Sequence, residues 1–312
     1  MSESFVSLMY HNLYRRGSED GRCESAHLSP SITRYFVEES AFSEQLRMLS
    51  RRFDVMSFDD LIAFYGSSAP PSPDFAGVHP PGGRQHSRPP VQITFDDGWR
   101  GCVALGGPIL EQSGAQAMLF VTTDLIGKPH FLSRTELHNL PRAQFQIGSH
   151  AKTHGFLCEL SEDSIREELR ASKEVLEQIT GGPIDAVSIP NGAVDARVRR
   201  IAREVGYRFV FTSHVQRNTR IRGPLQIARV AVRDGMTAEN LVRFAAGGFA
   251  RQRLRQHVLS LPKWLLGPAR YRHLRAALLA EHDSDRDMAD LIGETFSHES
   301  QETAGRRQTV RC

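Results

Sequence analysis

Short apolar runs that end on polar, chemistry-bearing residues recur along the chain, with helical patterns between them. Phe5 to Tyr10 reads as a first strand with His11 at its end. Ser40 to Leu49 carries apolar residues at 42, 46 and 49, the spacing of one helix face, with Ser40 placed to cap it. Phe53 to Met56 reads as a short strand. Ser57 to Tyr65 reads as a helix with a serine cap and an acidic first turn, so Asp59 and Asp60 are capping chemistry. Residues 66–90 are rich in Pro, Gly and Ser and include His79 and His86; this composition predicts a flexible surface loop. Val91 to Phe95 is β-prone. A crossover helix over Val103 to Leu110 follows, weakened by Gly106, Gly107 and Pro108. Ala115 to Val121 is nearly all apolar, as in a parallel strand covered on both faces. A helix over Arg134–Leu140 leads to an apolar run at Phe145–Ile147, and Ser161 caps a helix that Gly181-Gly182-Pro183 stops. Strands at Ala186–Ile189 and Tyr207–Thr212 flank a helix at Asp195–Val205. This alternation predicts an α/β chain built on a parallel barrel or wound sheet.

The strand ends carry the chemistry. Asp96-Asp97-Gly98 closes the Val91–Phe95 strand, and alternation points the two carboxylates in different directions. On its own the tripeptide reads equally as an acidic turn. Ser149-His-Ala-Lys-Thr-His154 follows the next-but-one strand. Its histidines are four apart and would share one face of a helical turn. Two imidazoles and one carboxylate make the three-ligand set of an open zinc site, although two surface histidines would look the same in isolation.

Thr94-Phe-Asp-Asp-Gly98, Ser149-His150 through His154, and Ile189-Pro-Asn-Gly192, in that order, resemble the successive motifs of the polysaccharide deacetylases, the NodB homology family (carbohydrate esterase family 4). The intervening Ala117–Gly127, Glu168–Lys173 and Glu204–Tyr207 are similar as well, so the resemblance covers roughly residues 5 to 248. It implies a distorted, incomplete (β/α)7 barrel. It also implies hydrolysis of an N-acetyl amide on an amino-sugar glycan, or on a lipid- or nucleotide-linked precursor, with a divalent ion such as zinc. Under the resemblance Asp97, His150 and His154 are the metal ligands, Asp96 is the general base, and the backbone N–H of Asn191 is the oxyanion donor. A subset of the family is circularly permuted and opens with a Tyr-His strand; there the histidine, here His11, protonates the leaving amine.

Two departures bear on this. The third motif usually begins with an arginine that pairs with the base, and here that position is Ser188. Arg229 either takes its place or is a surface arginine at a strand edge. Position 151 is alanine where the family prefers Ser or Thr.

Composition sets the outer bounds. With 312 residues, 40% apolar and 24% charged, the chain has room for one large α/β domain and an appendage. A net charge of +3 gives no ground for nucleic-acid binding. The four cysteines, 23, 102, 158 and 312, show no Cys-x-x-Cys spacing and read as free thiols. The residues after Met1 do not resemble an export signal, which leads to the expectation of a cytoplasmic protein. Residues 1–248 are expected to form the deacetylase domain and 249–280 a basic amphipathic helical extension, with a disordered tail at 281–312. From Leu241 to Ala280 there is no Asp or Glu, and Trp264 lies among leucines and arginines, a pattern suited to an anionic membrane surface or to packing on a partner. Other readings of the whole are a catalytically silent glycan-binding module, or a hydrolase of a formamide or cyclic amide.

Overall fold

The computed structural model describes residues 4–17, 28, 30–66, 86–254 and 291, and every structural statement below concerns these. The expected disordered tail apart from residue 291, most of the basic extension and the center of the Pro/Gly-rich loop (67–85) lie outside them.

The strands are β1 (Ser4–Tyr10), β2 (Asn12–Tyr14), β3 (Phe36–Glu38), β4 (Asp54–Val55), β5 (Pro90–Phe95), β6 (Ala117–Val121), β7 (Phe145–Ser149), β8 (Ala186–Ser188), β9 (Phe209–Phe211), β10 (Asn218–Thr219) and β11 (Arg229–Ala231). β1, β5, β6, β7, β8 and β9 lie side by side in that order, all parallel, and β11 pairs in parallel with the free side of β1. A parallel bridge between Phe211 and Ile227 joins β9 to the approach of β11 and closes the ring. The chain's first strand therefore sits between β11 and β5, inside the barrel. The join of β7 to β8 rests on the single register pair Ser149–Val187, so the barrel is distorted as expected.

Alternation sorts the side chains into two apolar layers. Val91, Ile93 and Phe95 of β5 face outward and pack with Phe42, Leu46 and Leu49 of α1 (Glu39–Arg52). Phe5, Met118, Phe120, Phe209 and Phe211 fill the ring, plugged below by Phe58, Leu61, Phe64 and Tyr65. Strand polarity leaves the carboxyl ends of β1, β5, β7 and β8 together at the other end.

The local signals held with shifts of a residue or two. Ser57 and Asp60 form a reciprocal capping box, and Ser161 caps α2 (Glu162–Thr180). Asp195 caps α3 (Ala196–Glu204). Ser40, expected as a cap, lies instead inside the first turn of α1, whose N-cap position is Glu38 with no side-chain cap bond. The helix expected over 103–110 is two pieces, Arg100–Ala104 and Gly106–Gln112, divided at Leu105 just ahead of the two glycines and the proline. None of the described helices is long and apolar enough to cross a membrane.

Candidate active site

The β1–β5 register pairs Tyr10 with Phe95, and the Asp96 N–H donates to the Tyr10 carbonyl at 3.0 Å. The next residues, His11 and Asp96, thus leave adjacent strands at one level. Asp97 follows at φ 73°, a left-handed conformation that L-residues adopt at a cost. That turn sends Asp97 away from Asp96 and toward the loop after β7.

Asp97 Oδ1 lies 3.4 Å from His150 Nε2 and 3.3 Å from His154 Nε2. The ligand atoms of the three residues all fall within 4.8 Å of one another, and all three side chains are buried. Tetrahedral zinc ligands held at about 2.0–2.2 Å are about 3.3–3.6 Å apart, so both spacings to Asp97 fit a shared ion. The donor chemistry fits as well. Asp97 Oδ1 is buried with no hydrogen-bond donor, while Oδ2 accepts from the Trp99 indole N–H at 2.9 Å. His150 Nδ1 sits 2.7 Å from the Ser188 carbonyl, which can only accept. This fixes the proton on Nδ1 and leaves the Nε2 lone pair for a metal.

The histidines do not share a helical turn. Residues 150–154 form an irregular loop, with Ala151 at φ 60° and His154 at φ 63°. The four-residue spacing holds because the loop folds back on itself, setting the two rings 5.0 Å apart and steeply inclined.

Asp96 is held from the opposite side. Arg229, only 1% exposed, is not a surface arginine but lies inside the barrel. Its Nη1 and Nη2 donate to the two Asp96 oxygens at 2.6 and 2.8 Å. The remaining N–H groups reach Thr94 Oγ1 at 3.1 Å, Ser188 Oγ at 2.6 Å and the Thr212 carbonyl at 3.1 Å, so each of the five donors has an acceptor. The Phe120 and Phe211 rings lie within 5.8 Å of the guanidinium carbon. Ser188 does not leave a hole where an arginine is usual: its hydroxyl also donates to Asp96 Oδ2 at 3.2 Å. Burial opposes ionization of both carboxylates. Even so, Asp96 is held below its ordinary pKa by Arg229 and His150, and Asp97 well below it by His150 and His154.

The His11 ring stacks on Tyr35 at 4.7 Å, and its Nδ1 is buried with no hydrogen-bond partner. Burial lowers its pKa, the fields of Asp97 and Asp96 push the other way, and the net direction is down. Asn191 is exposed at the tip of the Pro190–Gly192 turn after β8, at φ 58°. Sequence reasoning missed Trp99, Thr94 and the Ser188 hydroxyl as supports. The adjacency of Trp99 to the Asp-Asp-Gly motif was the one signal available.

Fold and site together define a parallel α/β barrel with an Asp-His-His metal-type center beside an ion-paired carboxylate. Residues 83–210 match the family model described as polysaccharide deacetylase. YxkH of Bacillus subtilis, itself assigned to the polysaccharide deacetylases, is 26% identical over 147 residues; the match covers 47% of this chain and 53% of YxkH, so the chain spans about half the length of that relative. The fold is shared with the Streptococcus pyogenes deacetylase PplD in complex with acetate, at TM-score 0.62 and 21% identity over 78% of this chain and 98% of that one. It is also shared with a polysaccharide deacetylase from Bacillus cereus, at TM-score 0.59 and 23% identity over 78% of this chain and 69% of that one.

Proposed function

We propose that this protein is a metal-dependent hydrolase that removes N-acetyl groups from an amino-sugar glycan or a lipid- or nucleotide-linked glycan precursor. The observation that carries the reading is the side-by-side placement of two carboxylates with different partners. Asp97 faces two imidazoles with an acceptor oxygen to spare, and Asp96 is ionized and locked by a buried arginine. Asp97, His150 and His154 would hold the ion, zinc by its donor set. A bound ion of this kind polarizes the amide carbonyl and acidifies a water.

The chain's own residues supply the rest. Asp96, aimed by Arg229 and Ser188, accepts the proton of the attacking water. The backbone N–H of Asn191 donates to the oxygen that becomes negative as the carbonyl carbon turns tetrahedral. His11 delivers a proton to the amine nitrogen as the C–N bond breaks, giving free acetate and an amino sugar.

Acetate release from chitooligosaccharides, with Asp96→Asn as control, tests the reading. Turnover in the wild type and its loss in the variant is the expected result. Bound metal without turnover on a broad panel of amides would favor a glycan-binding role instead.

A further inference from the structure

The loop carrying both histidines is gripped by one helix. On α2, Glu168 Oε2 accepts the consecutive backbone N–H groups of Lys152 at 3.0 Å and Thr153 at 2.9 Å, and Oε1 accepts the Thr153 hydroxyl at 2.8 Å. One turn further along, the Ser172 hydroxyl meets Ser149 Oγ at 2.6 Å, and that oxygen accepts the Ala151 N–H at 3.1 Å. From the opposite side the N–H groups of Thr123 and Asp124 donate to the carbonyls of Ala151 and Lys152 at 3.3 and 3.0 Å. The segment between the histidines is thus bound on both edges.

It needs to be. Ala151 and His154 both stand at positive φ, each at a cost of order 1–3 kcal/mol, and such conformations persist only where surroundings over-determine them. The position where the family prefers a hydroxyl side chain is alanine here, so residue 151 offers no side-chain tie of its own. We propose that Glu168 is a positioning residue that sets the separation of His150 and His154, and that metal affinity depends on the reach of its carboxylate rather than on its charge.

This inference rests on the metal reading of Asp97, His150 and His154. Two substitutions separate geometry from charge. In Glu168→Gln the amide oxygen still accepts both N–H groups, and its NH2 donates to the Thr153 oxygen, so the grip survives without the charge. In Glu168→Asp the charge stays but the side chain is one methylene shorter and cannot span all three donors.

The experiment is zinc titration of the full chain against a chromophoric chelator, with thermal unfolding of each metal-free protein to establish that it is folded. Supporting partners of metal ligands are typically worth 10–100-fold in affinity. Glu168→Asp is expected to bind zinc at least tenfold more weakly, and Glu168→Gln within about threefold of wild type. The reverse order, or wild-type affinity in both, overturns the proposal. A wild-type chain that binds no zinc fails at an earlier step, the metal reading itself, and takes this inference with it.

Discussion

Replacing Arg229 with methionine tests the electrostatics of the site most severely. The substitution keeps roughly the same bulk but removes all five donors, leaving Asp96, 2% exposed, with the 3.2 Å bond from Ser188. Removing one partner of a buried ion pair costs about 3–5 kcal/mol, because the remaining charge is stranded. For a domain of this size each kcal/mol is about 2–4 °C in Tm, so a fall of roughly 6–20 °C is expected. The pH dependence carries the diagnosis. In the wild type the Asp96 pKa is depressed in the folded state. Its contribution is present above the unfolded value, about 3.9, and is lost as pH falls through the folded pKa. In Arg229→Met, burial without a cation raises the folded pKa, so that contribution is present below about pH 3.9 and is lost as pH rises through the folded value. The gap in Tm between the two proteins must therefore be narrower near pH 4, where Asp96 of the variant is still protonated although the wild-type contribution is already present, and widest near neutrality. Acetate release at neutral pH should collapse together with stability, since a protonated Asp96 is no base. Adding Asp96→Asn to Arg229→Met should recover much of the Tm and none of the activity. A Tm gap that does not change between pH 4 and pH 8 would refute the reasoning.

Asp96→Asn alone should lower kcat by about 10²–10⁴ while leaving zinc affinity near wild type, as read by turnover and chelator competition. His11→Asn should lower kcat over the same range, again with zinc binding retained, because His11 lies outside the ligand set. In the metal-free protein the depressed pKa of His11 means that the unfolded chain binds more protons between the folded value and about 6.5. The His11 contribution to stability is then complete above that window and falls with pH inside it. A Tm series in His11→Phe should show a shallower acid decline. Gly148→Ala would set a Cβ 2.6 Å from Phe120 Cδ1 and Cε1 and 3.0 Å from the Ala186 carbonyl, so a loss of about 1–3 kcal/mol is expected by chemical denaturation.

Much of this site could be read in the sequence because its chemistry sits at strand ends. Asp96, Asp97 and His150 each end or follow an apolar run, and parallel strands gather such ends whatever lies between. What could not be read was conformation within the loops. His-x-x-x-His looks the same in a helical turn and in the folded-back loop found here. The left-handed backbones of Ala151 and His154 leave no compositional trace, since neither residue is glycine. Arg229 stayed ambiguous for a different reason: whether an arginine on a short strand faces water or a carboxylate depends on β11 closing against β1, a pairing across more than 200 residues that local pattern does not encode. The capping serine at 57 was legible because its partner is three residues away, whereas the supports Ser188 and Thr94 converge only through the ring.

The direct test of the central claim is the metal content of purified full-length chain compared with Asp97→Ala. Three side chains converging on one cation predict close to one divalent ion per wild-type chain, and near zero in the variant with its fold retained. A folded wild-type protein that takes up no divalent ion, or a variant that binds as well as wild type, would contradict it.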